Sequence, residues 1–103
     1  MIYHITSFPE WQAAQPAGEY RPPSLEAEGF IHCSTAEQLR PVADAFFHGR
    51  DDLIVLWIDP TLLTAPLRWE EPVPADLFAG RLFPHIYGPL NLDAVVQAAD
   101  LSR

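Results

Sequence analysis

The chain has 103 residues, of which 49% are hydrophobic and 19% charged. That composition excludes wholesale disorder and fits one domain over residues 1–103. Six basic residues, all arginine, oppose 14 acidic ones for a net charge of −8. The balance argues against binding to nucleic acid and to an anionic membrane surface, while leaving room for a small anionic ligand held by one or two donors.

Cys33 is the one cysteine, so an internal disulfide is impossible and nothing suggests a secreted scaffold. The longest apolar run, residues 53–58, is far shorter than the ~20 residues of a membrane helix. The first residues carry no basic segment followed by a long apolar one. The expectation is a cytoplasmic protein. Eleven prolines predict short elements joined by rigid turns.

In chain order, residues 2–6 read as a short strand. Ser7 and Glu10 form a capping box that opens a helix over 8–15, with Glu10 reaching back to the cap. Residues 16–18 stop it. Pro22-Pro23 makes 19–25 extended or coiled rather than helical. Glu28-Gly29 is a turn, and 30–34 is a second strand. Ser34 and Glu37 form a second capping box, opening a helical stretch to about 48. Leu39, Ala43, Phe46 and Phe47 face the core along it. Pro41 conflicts with an unbroken helix: either the helix kinks there, or one turn precedes a helix that starts near Pro41.

Residues 53–59 form an unalternating apolar run, which predicts a strand covered on both faces and central in its sheet. One helical turn follows Asp59. Residues 67–70 are strand-like, and Pro72-Val-Pro74 interrupts pairing. Residues 82–87 form another strand, which Pro84 assigns to an edge or a strand start. Asn91 caps a turn through Ala94, and 95–101 return as a strand. Trp11, Trp57 and Trp69 are expected in the core. The fold class is α+β, with two short N-terminal helices and a mainly antiparallel sheet.

Strand side chains alternate between faces. His4 therefore shares a face with Thr6, His32 with Phe30 and Ser34, and His85 with Phe83 and Tyr87. The opposite faces (Tyr3 and Ile5; Ile31 and Cys33; Ile86) are largely apolar. Three strands with an apolar back and a histidine front suit the wall of a cleft. Cys33 lies opposite His32, so a Cys–His nucleophile pair is not expected. His48, near a helix end, is read as structural. The histidines lack close metal-ligand spacing, so no metal is expected. Glu70 is the carboxylate available for acid–base work. Five glycines fall in no phosphate-binding loop.

Gly29-Phe-Ile-His-Cys-Ser34 and Phe83-Pro-His-Ile-Tyr-Gly-Pro-Leu90 resemble a bacterial family known as domain of unknown function 952. The opening Ile-Tyr-His-Ile-Thr, the Trp11 helix, Leu53-Ile-Val-Leu-Trp-Ile and Arg68-Trp-Glu70 fit the same pattern over nearly the whole chain. That family is grouped by fold with ADP-ribosyltransferase-like proteins, which bind NAD in the cleft of a split antiparallel sheet. The resemblance implies His4 and Thr6 on the ribose side, and Phe30, His32 and Ser34 at the nicotinamide end. His85 and Tyr87 stand where such enzymes usually carry a glutamate, a departure that Glu70 would have to make good.

Three readings follow. The first is an enzyme acting on NAD, as substrate rather than cofactor, or on an ADP-ribose-like nucleotide. In it His32, His85 and Glu70 are catalytic, and His4, Thr6, Phe30, Ser34 and Tyr87 bind the substrate. The second is a non-catalytic nucleotide-binding module, favoured by the missing glutamate. The third is a structural or interaction protein whose histidines satisfy buried polar groups.

Overall fold

The computed structural model describes residues 1–72 and 80–101. Strand β1 (Ile2–Ser7) leads into helix α1 (Phe8–Ala17) through the cap that the sequence predicts. The Ser7 hydroxyl accepts the Glu10 N–H at 3.2 Å, and Pro9 sits in the first turn, where no N–H is needed. The Glu10 carboxylate reaches the Ser7 hydroxyl at 2.9 Å. Gly18, at φ 80°, ends the helix in the left-handed conformation that glycine adopts without a Cβ clash.

Strand β2 (Glu19–Tyr20) precedes helix α2 (Pro23–Glu28), a helix where the sequence suggests coil. Pro22 is extended, as a residue before proline should be, but Pro23 occupies the first helical position, which its fixed φ favours. Strand β3 (Ile31–His32) and helix α3 (Ala36–Phe46) follow. Thr35, not Ser34, caps α3: its hydroxyl accepts from the Gln38 N–H, and the Gln38 side chain accepts from the Thr35 N–H. The capping box is shifted by one residue, which keeps the Ser34 hydroxyl out of the helix cap. Pro41 lies inside a single helix, settling the alternative left open by the sequence.

Strand β4 (Leu53–Ile58) is central, as its unbroken apolar run predicts, in the antiparallel order β1-β4-β8. Ile54, Leu56 and Ile58 enter the main core, while Leu53 joins Ile5 and Ala43 in a smaller cluster with Leu39, Val42 and Phe47. Strands β5 (Leu67–Glu70) and β6 (Phe83–Ile86) form a second antiparallel sheet, β3-β6-β5. Strand β7 (Leu90–Asn91) pairs with β2, and β8 (Val95–Asp100) follows one 3₁₀ turn. A 3₁₀ turn also follows Asp59, whose side chain caps it. The architecture is α+β with antiparallel sheets; it has three α-helices among the described residues rather than the expected two. None of its described helices is long and apolar enough to cross a membrane.

Of the two places the sequence offers Pro84, the structure takes the start: it is the second residue of β6, in the middle strand of its sheet rather than at an edge. Its carbonyl still accepts the Cys33 N–H at 3.0 Å, but it has no N–H to return, and the β3 ladder ends at His32. The chain then crosses to the first sheet, where Ser34 and Tyr3 exchange two backbone hydrogen bonds of 2.7 and 2.8 Å. This bridge joins the two sheets. Trp69 is 48% exposed and Phe46 is 49% exposed. Neither is a core residue: β5 is an edge strand, and Phe46 ends the last turn of α3. Of the Pro72–Pro74 interruption, only Pro72 lies within the described residues.

The cap assignment is testable by chemical denaturation. Thr35→Ala is expected to cost about 1 kcal/mol, the usual value of such a cap. Ser34→Ala should cost less than half of that, and equal losses would contradict the assignment.

Candidate functional site

A cavity of about 350 Å³ opens where the two sheets meet. His4, Thr6, His32, Ser34 and His85 all line it, so the three histidine-bearing strand faces converge on one space. Val42, Phe46, Phe47, Phe83, Pro22 and Pro72 add apolar walls.

His85 sits on β6 directly across from His32 on β3, and their ring centroids are 5.6 Å apart. Phe30 is not in the cavity lining. It stacks on His85 at 4.1 Å and lies 4.8 Å from His32, supporting both rings. The Glu70 carboxylate, on β5, accepts from His85 Nδ1–H at 2.9 Å and also from the Tyr87 hydroxyl. These hydrogen bonds, Tyr87 first and His85 second, hold the Glu70 carboxyl below its ordinary range. They also pull the Tyr87 hydroxyl upward.

Glu70 thus stands behind His85 rather than on the cavity wall, as a positioning residue. Tyr87 follows it, because β6 ends at Ile86 and the Tyr87 N–H turns to the Pro66 carbonyl at 2.8 Å. Its ring lies under the Arg68 guanidinium at 5.1 Å. Strand alternation therefore places Tyr87 correctly beside His85 but not in the cleft.

With Nδ1–H committed to Glu70, neutral His85 presents a lone pair at Nε2. His85 is 1% exposed and its Nε2 has no partner among the described residues. No sealed side-chain nitrogen or oxygen there lacks a partner, so this atom meets the open space of the cavity. The same holds for the hydroxyl of Ser34, a residue 5% exposed. His32 instead commits Nε2 to Glu28 at 2.8 Å, leaving Nδ1 without a partner.

His4 belongs to a second polar chain. Its Nδ1–H donates to the His32 carbonyl, and its Nε2 lies 2.8 Å from the Tyr20 hydroxyl, which lies 2.8 Å from Thr6 Oγ1. Burial pushes the His4 pKa down to about 4, so the ring is neutral at pH 7. Neutral His4 with hydrogen on Nδ1 needs a donor at Nε2, so the single phenolic proton of Tyr20 points there. The Thr6 hydroxyl lies between Tyr20, at 2.8 Å, and the Glu10 carboxylate, at 3.4 Å. Burial also pushes the Tyr20 hydroxyl far above its ordinary value.

Three contributors to the site lie outside the histidine motifs. Tyr20 arrives with β2, and Arg50 enters the lining from the turn after α3, fixed to Asp52 by hydrogen bonds of 3.1 and 2.8 Å. Glu10 also lines the cavity, and its capping box was the only signal for it. Cys33 touches the cavity too, but burial pushes its thiol well above the ordinary range, so it offers no thiolate. Among the described residues no group of three His, Cys, Asp or Glu side chains is placed to hold a metal ion.

The family model described as Protein of unknown function (DUF952) matches residues 5–98. The chain belongs to the DUF952 family. Its fold recurs in the crystal structure of protein CC0527 from Caulobacter crescentus, at 36% identity and a TM-score of 0.86, covering 98% of this chain and 85% of that one. The solution NMR structure of CC0527 matches at 36% identity and a TM-score of 0.80, over 98% and 84% of the two chains. No curated protein matches this DUF952 chain.

The neutral buried His4 makes stability pH-dependent. Its folded pKa, about 4, is below the 6.5 of an unfolded histidine, so the unfolded chain binds the extra proton first. Stability from this group is full above pH 6.5 and falls progretively as pH drops toward 4, by about 3 kcal/mol in all. Denaturant titrations at pH 7 and 4.5 should show a smaller loss in His4→Gln than in the parent protein. Identical pH slopes would contradict the assignment.

Proposed function

We propose that this DUF952 protein is an enzyme acting on a nucleotide of the NAD or ADP-ribose class, with His85 as its proton-transfer group. The observation that carries the reading is the state of His85. It is buried, tied through Nδ1 to Glu70, and open to the cavity at Nε2. A histidine oriented by a carboxylate and presenting a bare lone pair to a cleft is built to take a proton from a hydroxyl or water. It is a poor donor to phosphate while neutral, so the role of anion contact passes to Arg50, Ser34 and His32.

The nucleotide class rests on the composition of the lining and on the grouping with ADP-ribosyltransferase-like proteins that the sequence resemblance implies. Phe46, Phe47, Val42 and Phe83 offer a base an apolar wall, and Ser34 and the histidines offer ribose and phosphate oxygens polar partners. The volume is at the lower end of the ~300–1,000 Å³ of ligand sites, so the cavity encloses one nucleotide half rather than a dinucleotide. NAD is a substrate in this reading, and no cofactor is invoked. A non-catalytic binding module is the second reading. It is favoured by Glu70, which faces His85 and Tyr87 instead of offering a carboxylate to the ligand.

Calorimetry with NAD, ADP-ribose and nicotinamide mononucleotide tests the class. At least one should bind with Kd under about 1 mM, or −4 kcal/mol; silence from all three at millimolar concentration would overturn it. Turnover of the bound nucleotide should fall by roughly 10²–10⁴-fold in His85→Gln. Binding with no turnover in the parent protein would favour the binding module.

A further inference from the structure

Two histidines, not one, face the cavity from adjacent strands, and the environment of each commits the opposite nitrogen. His85 gives Nδ1 to Glu70 and keeps Nε2; His32 gives Nε2 to Glu28 and keeps Nδ1. Cross-strand pairing fixes their separation, with centroids 5.6 Å apart, and Phe30 packs against both rings. The Ser34 hydroxyl, buried and without a protein partner among the described residues, shares their strand face and the same cavity. Two such rings on the wall of one cavity suit a reacting centre with an entering and a leaving oxygen.

We infer that His85 and His32 act as a base–acid pair on a phosphorus–oxygen bond, and that the substrate class is a cyclic phosphodiester of a ribonucleotide. This rests on the reading that the cavity holds a nucleotide, and it names the bond that breaks. His85 Nε2 takes a proton from water while the water oxygen bonds to phosphorus. The bond from phosphorus to the ribose oxygen breaks, and that oxygen receives a proton from Nδ1 of His32 in its imidazolium form. The ring opens to a nucleoside monophosphate. His85 finishes protonated and His32 neutral, and exchange with solvent restores both. Ser34 donates to a non-bridging phosphoryl oxygen.

The two-histidine arrangement suits an alkoxide leaving group, which must be protonated as it departs. A nicotinamide ring leaves its glycosidic bond neutral and needs no acid. Such a cleavage would instead require a carboxylate beside the sugar; Glu70 is held away behind His85, and Glu10, which does line the cavity, accepts from the Ser7 and Thr6 hydroxyls at the start of α1. The pairing therefore favours phosphodiester chemistry within the nucleotide class.

The test uses adenosine 2′,3′-cyclic phosphate, with product formation followed by chromatography and binding followed by calorimetry. The full-length protein should open the ring, and His32→Gln and His85→Gln should each lower kcat by about 10²-fold or more, with probe affinity changed only a few-fold in His85→Gln. Should the buried His85→Gln variant fail to fold, Glu70→Gln reports on the same ring and should lose at least about tenfold. Ring opening that survives in His32→Gln would overturn the pairing. Binding of the probe or of NAD without ring opening would overturn the inference and leave the nucleotide reading standing. Absence of binding by any of these nucleotides would overturn both.

Discussion

The seam between the two sheets is the constraint on which the site depends. Pro84 cannot return a hydrogen bond to β3, so the ladder stops at His32. The strand then departs toward β1, where Tyr3 and Ser34 close a reciprocal pair of backbone bonds. His4 reinforces the seam by donating Nδ1–H to the His32 carbonyl. A continuous ladder would have left His32 and His85 on one surface and His4 on another. The interruption instead folds their faces toward a common cavity, and places the unpartnered Ser34 hydroxyl at its wall.

Two histidines of that cavity are made different by what surrounds them. His4 is locked into a buried chain with Tyr20 and Thr6, kept neutral by desolvation, and joins strands by a bond to the backbone. Both of its ring nitrogens are taken by protein partners. His85 is as deeply buried, yet its second nitrogen has no partner among the described residues. A carboxylate at Nδ1 separates the two rings, since it fixes the tautomer and the ring plane while Nε2 stays open to the cavity.

Much of this was legible from local periodicity. The unalternating run of β4 marked a central strand, and period-two spacing put the histidines on shared faces. The resemblance in the two histidine motifs led to the family whose model matches residues 5–98. What failed to read depended on register. Proline in residues 82–87 suggested an edge or a strand start, because the rule counts the missing N–H; it lies at the start of a middle strand, and the lost rung is the feature that splits the sheet. Tyr87 obeyed alternation but fell one residue past the strand. Pro22-Pro23 concealed α2, because the second proline starts a helix as readily as it breaks one. Tyr20 and Arg50 reach the cavity by tertiary crossings that no local pattern encodes, whereas Glu10 is placed by its own capping box.

The central claim is that Glu70 holds His85 as the Nδ1–H tautomer with Nε2 bare toward the cavity. Nitrogen-15 correlation spectra of the histidine rings test it most directly. In the neutral state, the His85 ring should show a protonated Nδ1 and an unprotonated Nε2, and Glu70→Gln should weaken that preference. A His85 ring protonated at Nε2 and bare at Nδ1, in the native protein, would contradict the account.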